Sequence, residues 1–163
     1  MLFRSFEITN VTSNTISIAG WKIDDNSATF GSAATLNGVT TLATGESAIF
    51  IETTDLPAKD ALFRSTWALA ASPNGPQIGS YSGSGGLGTT GDAVNIYNAA
   101  GTLMASVTFG ASDAVSPFQT FDNTRGLNAT TISQLSAVGT NGAIASSNVA
   151  EVGSPGFAAP SAV

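Results

Sequence analysis

Short apolar stretches recur about every ten residues along this chain, each closed by Gly, Ser, Thr, Asn or Pro. That rhythm belongs to a sandwich or barrel of short strands, because a strand buries alternate residues over a few positions and then needs a turn. Phe6 and Ile8 alternate with polar neighbours. Residues 15–23 read as one strand, with Ile16 and Ile18 on one face and Gly20 permitting a bend before Trp21. Asn37-Gly38 and Thr44-Gly45 mark turns on either side of residues 39–42, and Ser47–Glu52 reads as a buried strand. The clearest hairpin joins residues 93–97 to 102–109, where Leu103, Ala105, Val107 and Phe109 alternate with period two. Beyond Gly110 the signals weaken to a strand within 130–138 and a turn at Asn141-Gly142.

One segment departs from this rhythm. Residues 55–71 are rich in helix formers and lack glycine, with Asp55 placed to cap and Pro57 in the first turn. Leu62 and Leu69, with Phe63 and Trp67 four apart, supply an apolar flank. A single short helix is expected near residues 56–71, inserted between strands. Ser72-Pro73-Asn74-Gly75-Pro76 ends it.

Composition narrows the chemistry. The 163 residues suit one domain, expected over residues 1–156, with 157–163 as an extended tail or linker. The chain has no Cys and no His, which removes disulfides, thiolate nucleophiles, imidazole ligands and Ser-His-Asp triads. The inventory leans against catalysis. Five basic residues are scattered among eleven acidic ones, so no cluster exists to release counterions from a phosphate backbone. Nucleic acid is not an expected partner. No apolar run approaches the ~20 residues of a membrane-spanning helix, so membrane insertion is not expected either. Residues 1–7 carry no signal-peptide core. Low Lys with abundant Ser, Thr, Asn and Gly nonetheless fits a secreted bacterial β-protein.

A family resemblance rests on an ordered set of motifs. Phe6-Glu7-Ile8-Thr9-Asn10 is followed by Ile16-Ser17-Ile18-Ala19-Gly20-Trp21-Lys22-Ile23. Leu42-Ala43-Thr44-Gly45-Glu46 comes next, then Gly91-Asp92-Ala93-Val94-Asn95-Ile96-Tyr97 running to Gly101, and finally Ser154-Pro155-Gly156. The set resembles the lamin tail domain as found in bacterial proteins. The resemblance implies an all-β, immunoglobulin-like β-sandwich without catalytic residues, Trp21 as a core Trp and Asp92 at a turn. It implies an extracellular or surface module beside an enzyme or anchoring segment. The family normally places another strand ahead of the Phe-x-Glu strand. Residues 1–4 are too short to supply it, so the Phe6–Ile8 strand is expected to leave an open edge where another copy of the chain can pair.

Candidate sites follow from the polar and aromatic residues. Asp24, Asp25 and Asp122 are the densest oxygen donors and the candidates for calcium, although Asp24-Asp25-Asn26 reads equally as a self-capping turn. Trp67 and Tyr81 lie outside the regular strands and are candidates for stacking on sugar rings, against a core role. A glycosidase pair would come from Glu7, Glu46, Glu52, Asp92 or Asp113. Glu7 is expected to face solvent, or else to pair with Lys22 or Arg125. Residues 83–88 satisfy G-x-G-x-x-G, but a strand hairpin follows where a dinucleotide site needs a helix, so they read as a loop. Asn10 and Asn128 begin glycosylation sequons. The expected core comprises Ile16, Ile18, Trp21, Phe50, Val94, Ile96, Val107 and Phe109. The leading functional expectation is a non-catalytic interaction or structural module that binds a protein or polymer partner. A carbohydrate-binding module, calcium-assisted or not, is the first alternative, and a hydrolase using paired carboxylates is the second. No cofactor other than calcium is expected.

Overall fold

A computed structural model describes residues 3–83, 85–112, 115–121, 123–124 and 127–159. Thirteen short strands and one helix follow in order among these residues. The strands are β1 (Ser5–Thr9), β2 (Ile16–Ser17), β3 (Lys22–Asp24), β4 (Ala34–Thr35), β5 (Thr41–Leu42) and β6 (Ser47–Glu52). After helix α1 (Leu56–Trp67) come β7 (Gln77–Tyr81), β8 (Asp92–Tyr97), β9 (Leu103–Phe109), β10 (Phe118–Gln119), β11 (Thr130–Ile132), β12 (Ile144–Ala145) and β13 (Glu151–Gly153).

Two sheets form the sandwich, one ordered β1-β6-β7 and the other β11-β9-β8-β3-β4. Between them lie Ile18, Ile23, Leu36, Leu42, Phe50, Tyr81 and Ile96, all buried, with Phe6, Ile8, Ile16, Trp21 and Val94 packed around them. This is the immunoglobulin-like architecture that the motif order implies. Ile18, Phe50 and Ile96 sit at its centre, whereas Val107 and Phe109 are half-buried at its margin. Phe109 meets Phe121 there, with ring centroids 5.4 Å apart.

The strand expected over residues 15–23 is instead two strands in different sheets. β2 pairs with β5, while β3 pairs with β4 and β8. Gly20, at φ +73°, turns the chain between them, and the Trp21 N–H closes the turn on the Ile18 carbonyl. A side chain at that φ is strained, which is why glycine stands there.

α1 makes a third layer. β6 and β7 are parallel and adjacent, so the chain needs a crossover, and the helix supplies it. Asp55 caps its start by accepting the Ala58 N–H at 3.2 Å, and Pro57 occupies the first turn. The helix ends at Trp67, earlier than expected, because Ala68 adopts the left-handed conformation. Its buried face is Phe63, Thr66 and Trp67; Leu62 points to solvent and Leu69 packs from beyond the helix end. Phe63 and Trp67 meet Phe3, Ile49, Ile51 and Ile78 on the face of the β1-β6-β7 sheet away from the sandwich core. β6 is therefore covered on both faces, which explains its continuous apolar run. On the sandwich side Phe50 lies over Gly79, where an added Cβ would come within 2.6 Å of the ring.

The C-terminal strands form a small sheet ordered β10-β13-β12 that closes over the end of α1. Ser147 donates its N–H to the Thr66 carbonyl at 2.7 Å and its hydroxyl to the Ser65 carbonyl at 3.1 Å, serving carbonyls that the helix end leaves open. Gly153 lies against the Trp67 ring. The packed domain continues past residue 156. Ala158 and Ala159 are buried, and the Ala159 N–H reaches the Asn123 carbonyl.

Candidate functional site

Among the described residues, the predicted carboxylates carry specific local tasks. Asp24 is buried, and its Oδ2 accepts the Ser27 hydroxyl and the Thr29 N–H, both at 2.6 Å. Asp25 Oδ1 accepts the Ser27 N–H at 2.8 Å, and its carbonyl accepts the Asn95 amide at 2.6 Å. These bonds define an Asx turn after β3, the self-capping geometry open to an Asp-Asp-Asn run. Asp92 belongs to the same corner, with Oδ1 accepting the Asn26 N–H at 3.0 Å and Oδ2 the Gly88 N–H at 2.5 Å. Asp24, Asp25 and Asp92 thus tie the β3 turn and the glycine-rich loop to β8. Among the described residues no group of three acidic side chains converges on a common point. Asp122, the third calcium candidate, lies outside the described residues.

The aromatic platform does not form. Trp67 and Tyr81 are 4% and 1% exposed and belong to opposite faces of the β1-β6-β7 sheet. Trp67 packs under the C-terminal sheet, and Tyr81 packs on Phe6 at 5.3 Å between centroids. Burial, followed by the neighbouring Glu52 carboxylate, pushes the Tyr81 hydroxyl well above its ordinary range. A ring must offer one face to solvent to stack on a sugar, and neither does.

The glycosidase candidates are dispersed. Glu46 accepts the Ala43 N–H and the Gln77 amide, each at 2.7 Å, and so locks the turn before β6. Glu52 pairs with Arg4 at 3.4 Å. Asp113 lies outside the described residues. Asn10, the first sequon residue, is 1% exposed. Its amide donates to the Asn14 and Leu42 carbonyls, and its Oδ1 accepts from both the Thr12 N–H and hydroxyl. It is a structural peg that no glycosyltransferase can reach in the fold. Asn128 Oδ1 accepts the Ser106 N–H at 3.0 Å. The glycine-rich loop joins two strands, β7 and β8, as the loop reading requires; its Ser84 lies outside the described residues.

Glu7 and its strand remain. β1 pairs in antiparallel register with β6, Phe6 opposite Phe50 and Glu7 opposite Ile49, and no other strand pairs with it among the described residues. The Glu52 N–H bonds to the Arg4 carbonyl and the Asn10 N–H to the Glu46 carbonyl, so the even-numbered residues carry the bonds to β6. The backbone groups of Ser5, Glu7 and Thr9 therefore point away from the sheet. The Glu7 side chain lies on the helix-side face, exposed as expected, but it is engaged: Oε1 accepts the Gly156 N–H at 3.0 Å. Lys22 is not its partner, since Lys22 sits 4.7 Å above the Phe30 ring. Arg125 lies outside the described residues. Crowding by surrounding protein pushes the Glu7 carboxyl up to about 7, and the Gly156 bond pulls it back.

The family model described as Lamin Tail Domain matches residues 4–111, more than half of the chain. The chain belongs to the lamin tail domain family. The match covers β1 to β9 together with α1, so both sandwich sheets except β11 lie within it. No curated protein and no solved structure matches the chain. The lamin tail domain is an immunoglobulin-like and generally non-catalytic family, in keeping with carboxylates that serve turns. The β10-β13-β12 sheet of this chain lies beyond the matched region. Among the described residues no helix is long and apolar enough to cross a membrane.

Proposed function

We propose that this lamin tail domain is a non-catalytic interaction module of a secreted or surface protein, and that it associates with a second copy through the open edge of β1. The observation that carries this reading is the outward row of backbone groups at Ser5, Glu7 and Thr9. An unpaired strand edge is a template for another strand. A twofold antiparallel pairing centred on Phe6 sets Ser5 of one copy against Glu7 of the other. That register gives four backbone hydrogen bonds and a hydroxyl facing a carboxylate, and it keeps the two Glu7 side chains apart. Phe6 then faces Phe6 across the junction. Five residues of strand bury little area, so the association is weak and reversible, which suits a module that gains avidity from attached domains.

Sedimentation equilibrium of the wild type and of Ser5→Pro tests the proposal. The Ser5 N–H points outward, so proline removes a docking donor without taking a bond from β6. The expected result is a concentration-dependent dimer for the wild type and a monomer for the variant, with equal thermal stability. A wild type that stays monomeric at millimolar concentration contradicts the reading.

A further inference from the structure

A second polar surface lies in the C-terminal part of the chain. A cleft of about 120 Å³ opens between the residue 134–137 segment and the turn at Asn141-Gly142. Asn123, Gln134, Ser136, Thr140, Asn141 and Ser154 line it with amides and hydroxyls. Its walls are fixed by bonds from behind. Asn123 donates one amide to the Asn141 carbonyl at 2.7 Å and the Phe157 carbonyl at 3.1 Å, stapling the turn to the chain end. Gln119 donates to the Ser136 carbonyl and Thr120 shares a hydroxyl bond with Ser136, each at 2.8 Å. The side chains of Gln134, Thr140 and Asn141 are exposed and make no hydrogen bond among the described residues.

An aromatic ring stands beside these free groups. Phe157 is 47% exposed, and one side of its ring rests on Gly142, where an added Cβ would approach within 2.5 Å. The turn thus requires glycine twice, for its φ of +76° and for the ring. A recess of unspent amide and hydroxyl groups, with a half-exposed aromatic ring next to its Asn141 wall, matches the two surfaces of a sugar, its hydroxyl edge and its C–H face. The described polar lining consists of amides and hydroxyls, which match the hydroxyl groups of a neutral ligand as donors and acceptors.

We infer that this cleft is a binding site for a neutral saccharide, with Phe157 stacking on one ring and Gln134, Thr140 and Asn141 bonding its hydroxyls. The site is unrelated to the sugar platform expected at Trp67 and Tyr81 and independent of the β1 edge.

Titration of the isotope-labelled full chain with cellohexaose, xylohexaose and hexa-N-acetylchitohexaose, followed by amide chemical shifts, tests the inference. At least one probe is expected to shift Gln134, Thr140, Asn141, Gly142 and Phe157 with a dissociation constant near or below about 1 mM. Phe157→Ala and Gln134→Ala are each expected to weaken that binding about two- to tenfold while leaving the remaining spectrum unchanged. No shift with any probe up to about 20 mM, shifts centred on other residues, or unchanged affinity in both variants overturns the assignment. Equal or tighter binding of the anionic polymer polygalacturonate at the same residues overturns its neutral class.

Discussion

Asn10 shows how far one residue's role depends on burial. In sequence it opens a glycosylation sequon; in the fold it is a buried amide just after β1 that makes three hydrogen bonds to the residue 12–14 turn and one to the Leu42 carbonyl of β5. Asn10→Ala strands the Leu42 carbonyl and the Thr12 N–H, so about 2–3 kcal/mol of stability is expected to be lost, read as a lower urea midpoint. Glu7 gives a pH prediction. Its carboxyl is raised in the fold, so the stability it contributes is fully present below the unfolded value of about 4.3 and is lost as pH rises towards 7. Glu7→Gln keeps an acceptor for the Gly156 N–H but cannot ionise. The melting temperature of the variant is expected to match the wild type at pH 4 and to exceed it at pH 8. The solvent-facing orientation of Glu7 was legible in its sequence, but its contact with Gly156, 149 positions away, was not.

At the scale of elements, local chemistry was the legible part. The Asp55 cap and Pro57 announced α1, and Asp55→Ala is expected to cost about 1 kcal/mol in thermal or urea unfolding. The β8–β9 hairpin and the buried run of β6 also read directly, because period and apolarity are local signals. The β2–β3 break did not, since alternation continues through a turn at Gly20 that changes sheets. The aromatic candidates failed for a related reason. Trp67 and Tyr81 lie outside regular alternation because one stands on a helix and the other at the end of a strand beside the glycine-rich loop, and both positions are buried by layers that sequence alone does not assemble.

At the scale of the molecule, the family match stops at residue 111 while the packed structure continues to 159. The final sheet caps α1 through Ser147 and covers Trp67 with Gly153. A chain ending at residue 111 is therefore expected to expose the side of Trp67 that faces Gly153 and to melt at a lower temperature by calorimetry. The central claim concerns β1, which offers its free edge. Residue-resolved amide exchange as a function of protein concentration tests it most directly. The account predicts that Phe6, Ile8 and Asn10 are protected at every concentration, whereas Ser5 and Glu7 gain protection only as concentration rises. Exchange of Ser5 and Glu7 that is equally fast at all concentrations would contradict it.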